Sequence, residues 1–65
     1  MAKELKIRRV AKDLTQKDLA KKSGVSRATI SAIERGSTEA VNMSTLKKLA
    51  TALDCTVADF FAEKV

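Results

Sequence analysis

The polar side chains of this chain are suited to hydrogen bonding and charge neutralisation rather than to catalysis. Its 65 residues include no histidine and a single cysteine, Cys55. The remaining residues provide no nucleophile–base pair, no glycine-rich phosphate loop and no set of metal ligands. We therefore expect no enzyme activity, no cofactor and no metal site. We interpret Cys55 as a small, partly buried apolar residue.

The basic residues are concentrated in one half of the chain. The net charge is +5: residues 1–36 hold ten Lys or Arg against four Asp or Glu, whereas residues 37–65 hold three against four. Neutralisation of phosphates by Lys and Arg supplies much of the affinity of nucleic-acid-binding proteins, so this distribution favours a polyanionic partner. The alternative is a basic surface that only aids solubility.

The segment 16–36 has the pattern of two short helices joined by a tight turn. Thr15, followed three residues later by Asp18, forms a capping box that predicts the start of the first helix. Gly24 predicts its end, because glycine adopts the left-handed conformation without steric cost. Ser26 predicts the N-cap of the second helix, where its hydroxyl can accept a free backbone N–H.

Hydrophobic spacing and capping signals predict a compact all-α bundle of five helices in a single domain, 1–65. The predicted helices span about 2–12, 16–23, 27–35, 45–53 and 57–62. Ser44 is the predicted N-cap of the fourth, and Thr56 with Asp59 forms the capping box of the fifth. The predicted core comprises Leu5, Leu14, Leu19, Ala20, Val25, Ile30, Ile33, Leu46, Leu49, Ala50, Leu53, Val57 and Phe60. Val10 is expected to be partly covered; Ile7 either shares its face or points outward.

The segment 16–36 resembles the helix-turn-helix of phage Cro and C1-type repressors, the XRE-like family. The shared pattern is Q-x-x-L-A-x-x-x-G-V-S-x-x-x-I-S-x-x-E-x-G. It is filled here by Gln16, Leu19, Ala20, Gly24, Val25, Ser26, Ile30, Ser31, Glu34 and Gly36. The resemblance covers about residues 5–61. It implies the five-helix domain of this family, in which the third helix enters the major groove of DNA.

The resemblance implies that helix 3 presents its outward residues to DNA bases, while Ile30 and Ile33 face inward. The residues expected near base edges are Arg27, Ala28, Thr29, Ser31 and Ala32. Arg27 is the strongest candidate, because arginine can donate two hydrogen bonds to guanine; contact with phosphate alone is the alternative. Two roles are open for Ala28. Its methyl group could pack against a thymine methyl group, or its small size could simply let the helix approach the DNA closely.

Contacts to the DNA backbone are implied at the ends of the two helices. The residues expected to make them are Gln16, Lys17, Ser26, Arg35, Ser37 and Thr38. Such contacts position a protein on DNA without reading sequence. For Gln16 the alternative is a capping role with no DNA contact. Lys21 and Lys22 are interpreted as a solvated face.

An ion pair between Arg9 and Glu34 is also implied by the resemblance. It would tie helix 1 to helix 3 and would have a structural role, although Arg9 could also touch a phosphate. Removing one member of such a part-buried pair is expected to be strongly destabilising.

The family resemblance further implies a homodimer on a palindromic operator; a dimer that forms only on DNA is one alternative, and a dimer already present in free solution is the other. The residues expected at the dimer interface are Asp54, Cys55, Thr56, Phe61 and Val65. Phe60 is assigned to the core and Phe61 to the interface, where an exposed aromatic ring would favour association.

The leading interpretation is a sequence-specific regulator that binds double-stranded DNA, most often a repressor in this family. The alternative is a DNA-binding antitoxin or another interaction module whose main ligand is a partner protein. No apolar run approaches the roughly 20 residues of a membrane span, and the N-terminus is unlike a signal peptide. We therefore expect a cytoplasmic protein with no membrane partner and no small-molecule ligand. The initial methionine favours a complete small protein or an N-terminal domain.

Overall fold

A computed structural model of the chain describes residues 1–37 and 41–61. These residues form, in order, α1 (Ala2–Ala11), α2 (Gln16–Ser23), α3 (Arg27–Glu34), α4 (Met43–Ala52) and a 3₁₀ helix (Val57–Phe61). The described residues contain no strand. The predicted all-α fold is confirmed, but the fifth element is a 3₁₀ helix rather than an α-helix. Its five residues are too few for more than one turn of α-helical hydrogen bonds, and 3₁₀ geometry is common in such short pieces.

Local side-chain caps determine where the helices begin. At α2 the Thr15 hydroxyl accepts the Asp18 N–H at 3.0 Å, and the Asp18 carboxylate accepts the Thr15 N–H at 3.0 Å. The prediction for α4 was wrong by two residues: Asn42 is the N-cap, and its Oδ1 accepts the Thr45 N–H at 2.8 Å. Asparagine caps as well as serine does, and its capping bond leaves Ser44 inside the first turn.

The predicted ends of three helices lie one residue too far along the chain. Lys12, Arg35 and Leu53 are C-cap residues that follow α1, α3 and α4. After α1 and α4 the chain reverses through Asp13 and Asp54, which adopt φ of 56° and 55°. Aspartate tolerates this left-handed conformation better than most residues do, which agrees with the turn predicted at Asp13. The predicted end of the fifth helix at Ala62 lies outside the described residues.

The core contains the apolar residues that helical spacing selects. The buried residues are Leu5, Leu19, Val25, Ile30, Ile33, Leu46, Leu49, Ala50, Ala52, Leu53 and Phe60. Leu14, Ala20 and Val57 are only partly buried and pack against this cluster. Val10 was predicted to be partly covered, and this prediction was wrong, because Val10 is 54% exposed. It lies about 140° around α1 from Leu5, so it faces solvent when Leu5 faces the core.

The packing places α3 between two supporting helices. Helix α2 packs against α3 and α4, and α1 packs against α3 and the 3₁₀ helix. Because α3 is held from both sides through its apolar face, its opposite face is left open to solvent. Within the described residues no helix is long and apolar enough to cross a membrane.

Candidate nucleic-acid interface

The turn between α2 and α3 is fixed by three consecutive residues. Gly24 adopts φ of 78°, and its N–H donates to the carbonyl of Ala20 at 2.9 Å. Val25 is 7% exposed and inserts its side chain into the core. Ser26 then begins α3 as its N-cap. The angle between the two helices therefore rests on a left-handed glycine and a buried valine.

The outward face of α3 is small and polar, with one long cationic side chain at its start. Arg27 and Ala28 are exposed, whereas Thr29, Ser31 and Ala32 are half-buried. The opposite face is anchored by Ile30 and Ile33, which are 0% and 1% exposed. An α-helix with its side chains is about 10–12 Å across, which fits the major groove of B-form DNA, about 12 Å wide.

Two hydroxyl groups at the start of α3 are already hydrogen-bonded to each other. The Ser26 Oγ accepts the Thr29 N–H at 3.2 Å and donates to the Thr29 Oγ1 at 2.8 Å. Since a hydroxyl group has one donor hydrogen, the hydrogen of Ser26 is engaged. The hydroxyl hydrogen of Thr29 is left to donate elsewhere, so of these two hydroxyls Thr29 is the better donor to an external anion.

The N-terminus of α2 provides backbone donors. The first N–H groups of a helix lack the carbonyl partner four residues earlier. The Thr15 hydroxyl satisfies the N–H of Asp18, which leaves the N–H groups of Gln16 and Lys17 directed out of the helix. Such groups, together with the helix dipole, attract phosphate oxygens.

A hydrogen-bonded cluster joins α1, α2 and α3 beside this helix end. The Arg9 guanidinium donates to both carboxylate oxygens of Glu34, from Nε at 2.8 Å and from Nη2 at 3.1 Å. Its Nη1 donates to the carbonyl oxygen of Leu14 at 2.6 Å. The Gln16 Nε2 donates to Glu34 Oε1 at 3.3 Å. The side chains of Arg9 and Glu34 are only 11% and 6% exposed.

The surroundings of this cluster keep both charges in place. Burial raises the pKa of the Glu34 carboxyl, but hydrogen bonds from Arg9 and Gln16 and the nearby positive charges outweigh burial and hold that pKa below its ordinary value. The hydrogen bond to Glu34 raises the pKa of the Arg9 guanidinium. The pair is therefore fully ionised at neutral pH.

Two further residues predicted to contact the DNA backbone, Arg35 and Ser37, follow the end of α3. Arg35 is exposed, and Ser37 is half-buried with its N–H donating to the carbonyl of Ala32 at 3.0 Å. Thr38 lies outside the described residues. The Ser26 hydroxyl donates its hydrogen to Thr29 Oγ1, so a contact with a phosphate oxygen would require that hydrogen to turn away from Thr29.

Four residues predicted for a dimer interface lie in the turn after α4 and in the 3₁₀ helix: Asp54, Cys55, Thr56 and Phe61. Asp54 accepts a hydrogen bond from Lys12 Nζ at 2.9 Å, and Thr56 caps the 3₁₀ helix through Asp59. Phe61 is 55% exposed, whereas Phe60 is 1% exposed in the core. Val65 lies outside the described residues.

Cys55 is half-buried against the core, as expected for a small apolar residue. Burial raises the pKa of its thiol, so it is protonated at neutral pH. The described residues hold no group of three or more His, Cys, Asp or Glu side chains that could bind a metal.

Sequence reasoning missed two polar contacts that shape this surface. The bond between Gln16 and Glu34 joins residues 18 positions apart, and the Lys12–Asp54 pair joins residues 42 positions apart. Neither spacing belongs to a local helix or turn pattern. These two contacts therefore become visible only once the packing of the helices is known. The capping role of Asn42 did have a signal, since Asn is a favoured N-cap residue three positions before Thr45.

Comparison with known proteins gives a family and one relative. A family model described as helix-turn-helix matches residues 5–60. An uncharacterized HTH-type transcriptional regulator of Methanocaldococcus jannaschii is 61% identical over 36 residues, which are 55% of this chain and 54% of that protein. The matched segment thus spans about half the length of this relative. No solved structure matches the chain.

Proposed function

Because the chain belongs to the helix-turn-helix family of Cro/C1 type, we propose that it binds double-stranded DNA at specific sequences and regulates transcription. In this proposal α3 reads the major groove, and a homodimer in the cytoplasm occupies a palindromic operator. Occupation of the operator prevents transcription from starting there, which makes the protein a repressor.

The observation that carries this proposal is the division of α3 into an anchored face and an open face. Ile30 and Ile33 anchor α3 in the core, while Arg27 and Ala28 are exposed in its first turn. Helices of this motif present their N-terminal residues to base edges. The open face therefore carries its longest donor at the position best suited to base contact.

The proposed base contacts follow from the chemistry of these side chains. Arg27 donates to O6 and N7 of a guanine, and the methyl group of Ala28 packs against a thymine methyl group. Thr29 contributes a hydroxyl donor. Ser31 and Ala32 have short side chains and are half-buried, so they contribute few direct hydrogen bonds to base edges. The shape and stiffness of the DNA between direct contacts then contribute to specificity.

The proposed phosphate contacts lie on both sides of α3. Gln16 and Lys17 at the start of α2 bind one DNA strand, and Arg35, Ser37 and Thr38 bind the other. Excess positive charge in residues 1–36 supports this arrangement, because phosphate neutralisation supplies sequence-independent affinity. These contacts fix the register of α3 in the groove.

The dimensions of the chain support a two-fold assembly on DNA. The described part measures 32 × 26 × 19 Å and carries one α3. Half-sites of this motif lie about 34 Å apart, so one copy reaches one half-site. In the proposed homodimer, the contact surface comprises Asp54, Cys55, Thr56, Phe61 and Val65, with the exposed ring of Phe61 supplying apolar area.

The test is selection from a random duplex library at about 150 mM salt, where non-specific binding is weak. Wild type is compared with Arg27→Ala and with Lys48→Ala, a matched control that removes one exposed positive charge from α4. We expect a two-fold symmetric consensus for wild type and for the control. With Arg27→Ala the consensus loses information at one position per half-site.

Three results would contradict the proposal or one of its parts. Binding without any consensus, lost equally at all sequences as salt rises, would leave only a phosphate binder. An asymmetric consensus with a single half-site, together with one chain per duplex by light scattering, would exclude the homodimer. A consensus unchanged by Arg27→Ala would remove Arg27 as the base-reading residue.

A further inference from the structure

The contact between Gln16 and Glu34 links the part-buried ion pair of Arg9 and Glu34 to the N-terminus of α2. We propose that Glu34 is a positioning residue for DNA binding: its carboxylate holds the Gln16 side chain in the conformation that contacts a phosphate. This inference rests on the proposed function and adds a specific role to a pair that otherwise only joins helices.

The chemistry of the two groups fixes the orientation of the Gln16 amide. An ionised carboxylate only accepts hydrogen bonds, so the amide must turn its nitrogen rather than its oxygen toward Glu34. The Nε2 nitrogen carries two hydrogens, and one of them reaches Glu34 Oε1 at 3.3 Å. The second hydrogen is left to donate to an external oxygen.

The same residue supplies a second donor from its backbone. Gln16 is the first residue of α2, where the backbone N–H has no partner four residues earlier. A phosphate oxygen beside this helix end can accept from the backbone N–H and from the remaining Nε2 hydrogen. The side chain is half-buried, so it has fewer alternative positions than a fully exposed glutamine.

Glu34 is itself held too firmly to follow a mobile partner. Arg9 Nε donates to one carboxylate oxygen at 2.8 Å and Arg9 Nη2 to the other at 3.1 Å. Arg9 also donates to the carbonyl of Leu14, in the loop that leads into α2. The cluster thus sets the Gln16 rotamer before DNA arrives, which lowers the entropy lost on binding.

The charge of the cluster is compatible with a nearby phosphate. An unpaired carboxylate would repel the DNA backbone. In this cluster the Arg9 guanidinium bonds both oxygens of Glu34, and Lys6 adds a further positive charge nearby. Glu34 can therefore act as a hydrogen-bond acceptor for Gln16 without presenting net negative charge to DNA.

The experiment is a double-mutant cycle on DNA affinity. Gln16→Ala is measured in wild type and in the background Arg9→Met/Glu34→Leu, which removes both charges and keeps similar volume. Affinities are measured by fluorescence anisotropy for the selected duplex and for a scrambled duplex of equal length. Lys17→Ala is the matched control, since it removes another donor at the same helix end that has no bond to Glu34 in the described residues.

We expect Gln16→Ala to weaken binding of both duplexes by about tenfold in wild type, since it removes a hydrogen bond to a charged group. In the apolar background the same change should cost less than about twofold. Lys17→Ala should cost the same in both backgrounds. An equal cost of Gln16→Ala in both backgrounds would overturn the positioning role. A lack of effect in wild type would do so as well and would remove the proposed phosphate contact of Gln16, while leaving sequence-specific binding through α3 intact. No binding of either duplex by wild type would refute both.

A second measurement does not depend on the folding of the apolar variant. NMR of the wild-type Gln16 side-chain amide follows its two Nε2 hydrogens during titration with the selected duplex. We expect one hydrogen to shift strongly as it meets phosphate, while the other stays close to its value in the free protein. Loss of the Glu34 bond on binding, seen as large shifts of both hydrogens and of the Glu34 carboxyl carbon, would overturn the inference.

Discussion

Removal of Arg9 should be among the most destabilising single changes available in the described residues. Arg9→Ala eliminates the two bonds to Glu34 and the bond to Leu14. It also leaves the Glu34 carboxylate, with a side chain only 6% exposed, bonded to Gln16 alone. Loss of one partner from a fully buried pair costs about 3–5 kcal/mol, and because Arg9 and Glu34 are part-buried we expect a cost near the lower end of that range.

This cost is large beside the stability of the whole chain. A protein of 65 residues is expected to have a free energy of unfolding of roughly 3–10 kcal/mol. Arg9→Ala should therefore lose roughly a third or more of this free energy of unfolding. The measurement is urea unfolding followed by far-ultraviolet circular dichroism, with the midpoint and slope fitted for wild type and variant.

The double change Arg9→Met/Glu34→Leu distinguishes a buried charge from a lost contact. If the burial argument is right, the double variant is more stable than either single variant, because it leaves no orphan charge. The matched control is Lys12→Met, which breaks the exposed pair with Asp54 and should change the urea midpoint very little, because water screens exposed pairs. A cost for Arg9→Ala as small as that of the control would refute the reasoning.

Three further changes test local features of the fold. Asn42→Ala should lower the free energy of unfolding by about 0.5–2 kcal/mol, because it removes the N-cap of α4. The control Ser44→Ala should leave this free energy nearly unchanged. A larger loss for Ser44→Ala than for Asn42→Ala in urea titrations would contradict the assignment of the cap. Gly24→Ala should lower the free energy of unfolding by about 1–2 kcal/mol in the same assay, because Gly24 adopts φ of 78° and alanine is strained in that conformation. The space around a Cβ at this position is open, so steric contact adds nothing to this cost. An unchanged urea midpoint would show that the turn relaxes. The pKa of Glu34 is lowered in the folded chain, so its contribution to stability is present above its unfolded pKa of roughly 4.3 and is lost as pH falls below that value. Stability measured from about pH 5 to about pH 3 should therefore fall more steeply in wild type than in Arg9→Met/Glu34→Leu, and equal slopes would refute this assignment.

Features encoded within four residues could be predicted from the sequence. The bounds of α2 were predicted correctly, because the capping box of Thr15 and Asp18 and the glycine at position 24 are both local signals. The burial of Ile30 and Ile33 followed from helical spacing. The family resemblance, rather than spacing, suggested that Arg9 and Glu34 would pair.

Features that depend on packing could not be predicted in this way. The sequence before α4 contains two suitable N-cap residues, Asn42 and Ser44, and only the fold selects between them. Val10 has an apolar side chain on α1, but the direction in which α1 meets its neighbours leaves it exposed. The bond between Gln16 and Glu34 requires two helices to meet, so no short pattern contains it.

The caps of α2, α3, α4 and the 3₁₀ helix all join residues three positions apart. Each of these bonds lies within one turn of the chain and needs no side chain from a distant part of the sequence. Ala28, Ser31 and Ala32 supply no side chain to these caps. Changes at these outward positions of α3 can therefore alter what the surface recognises without shifting where the helix begins.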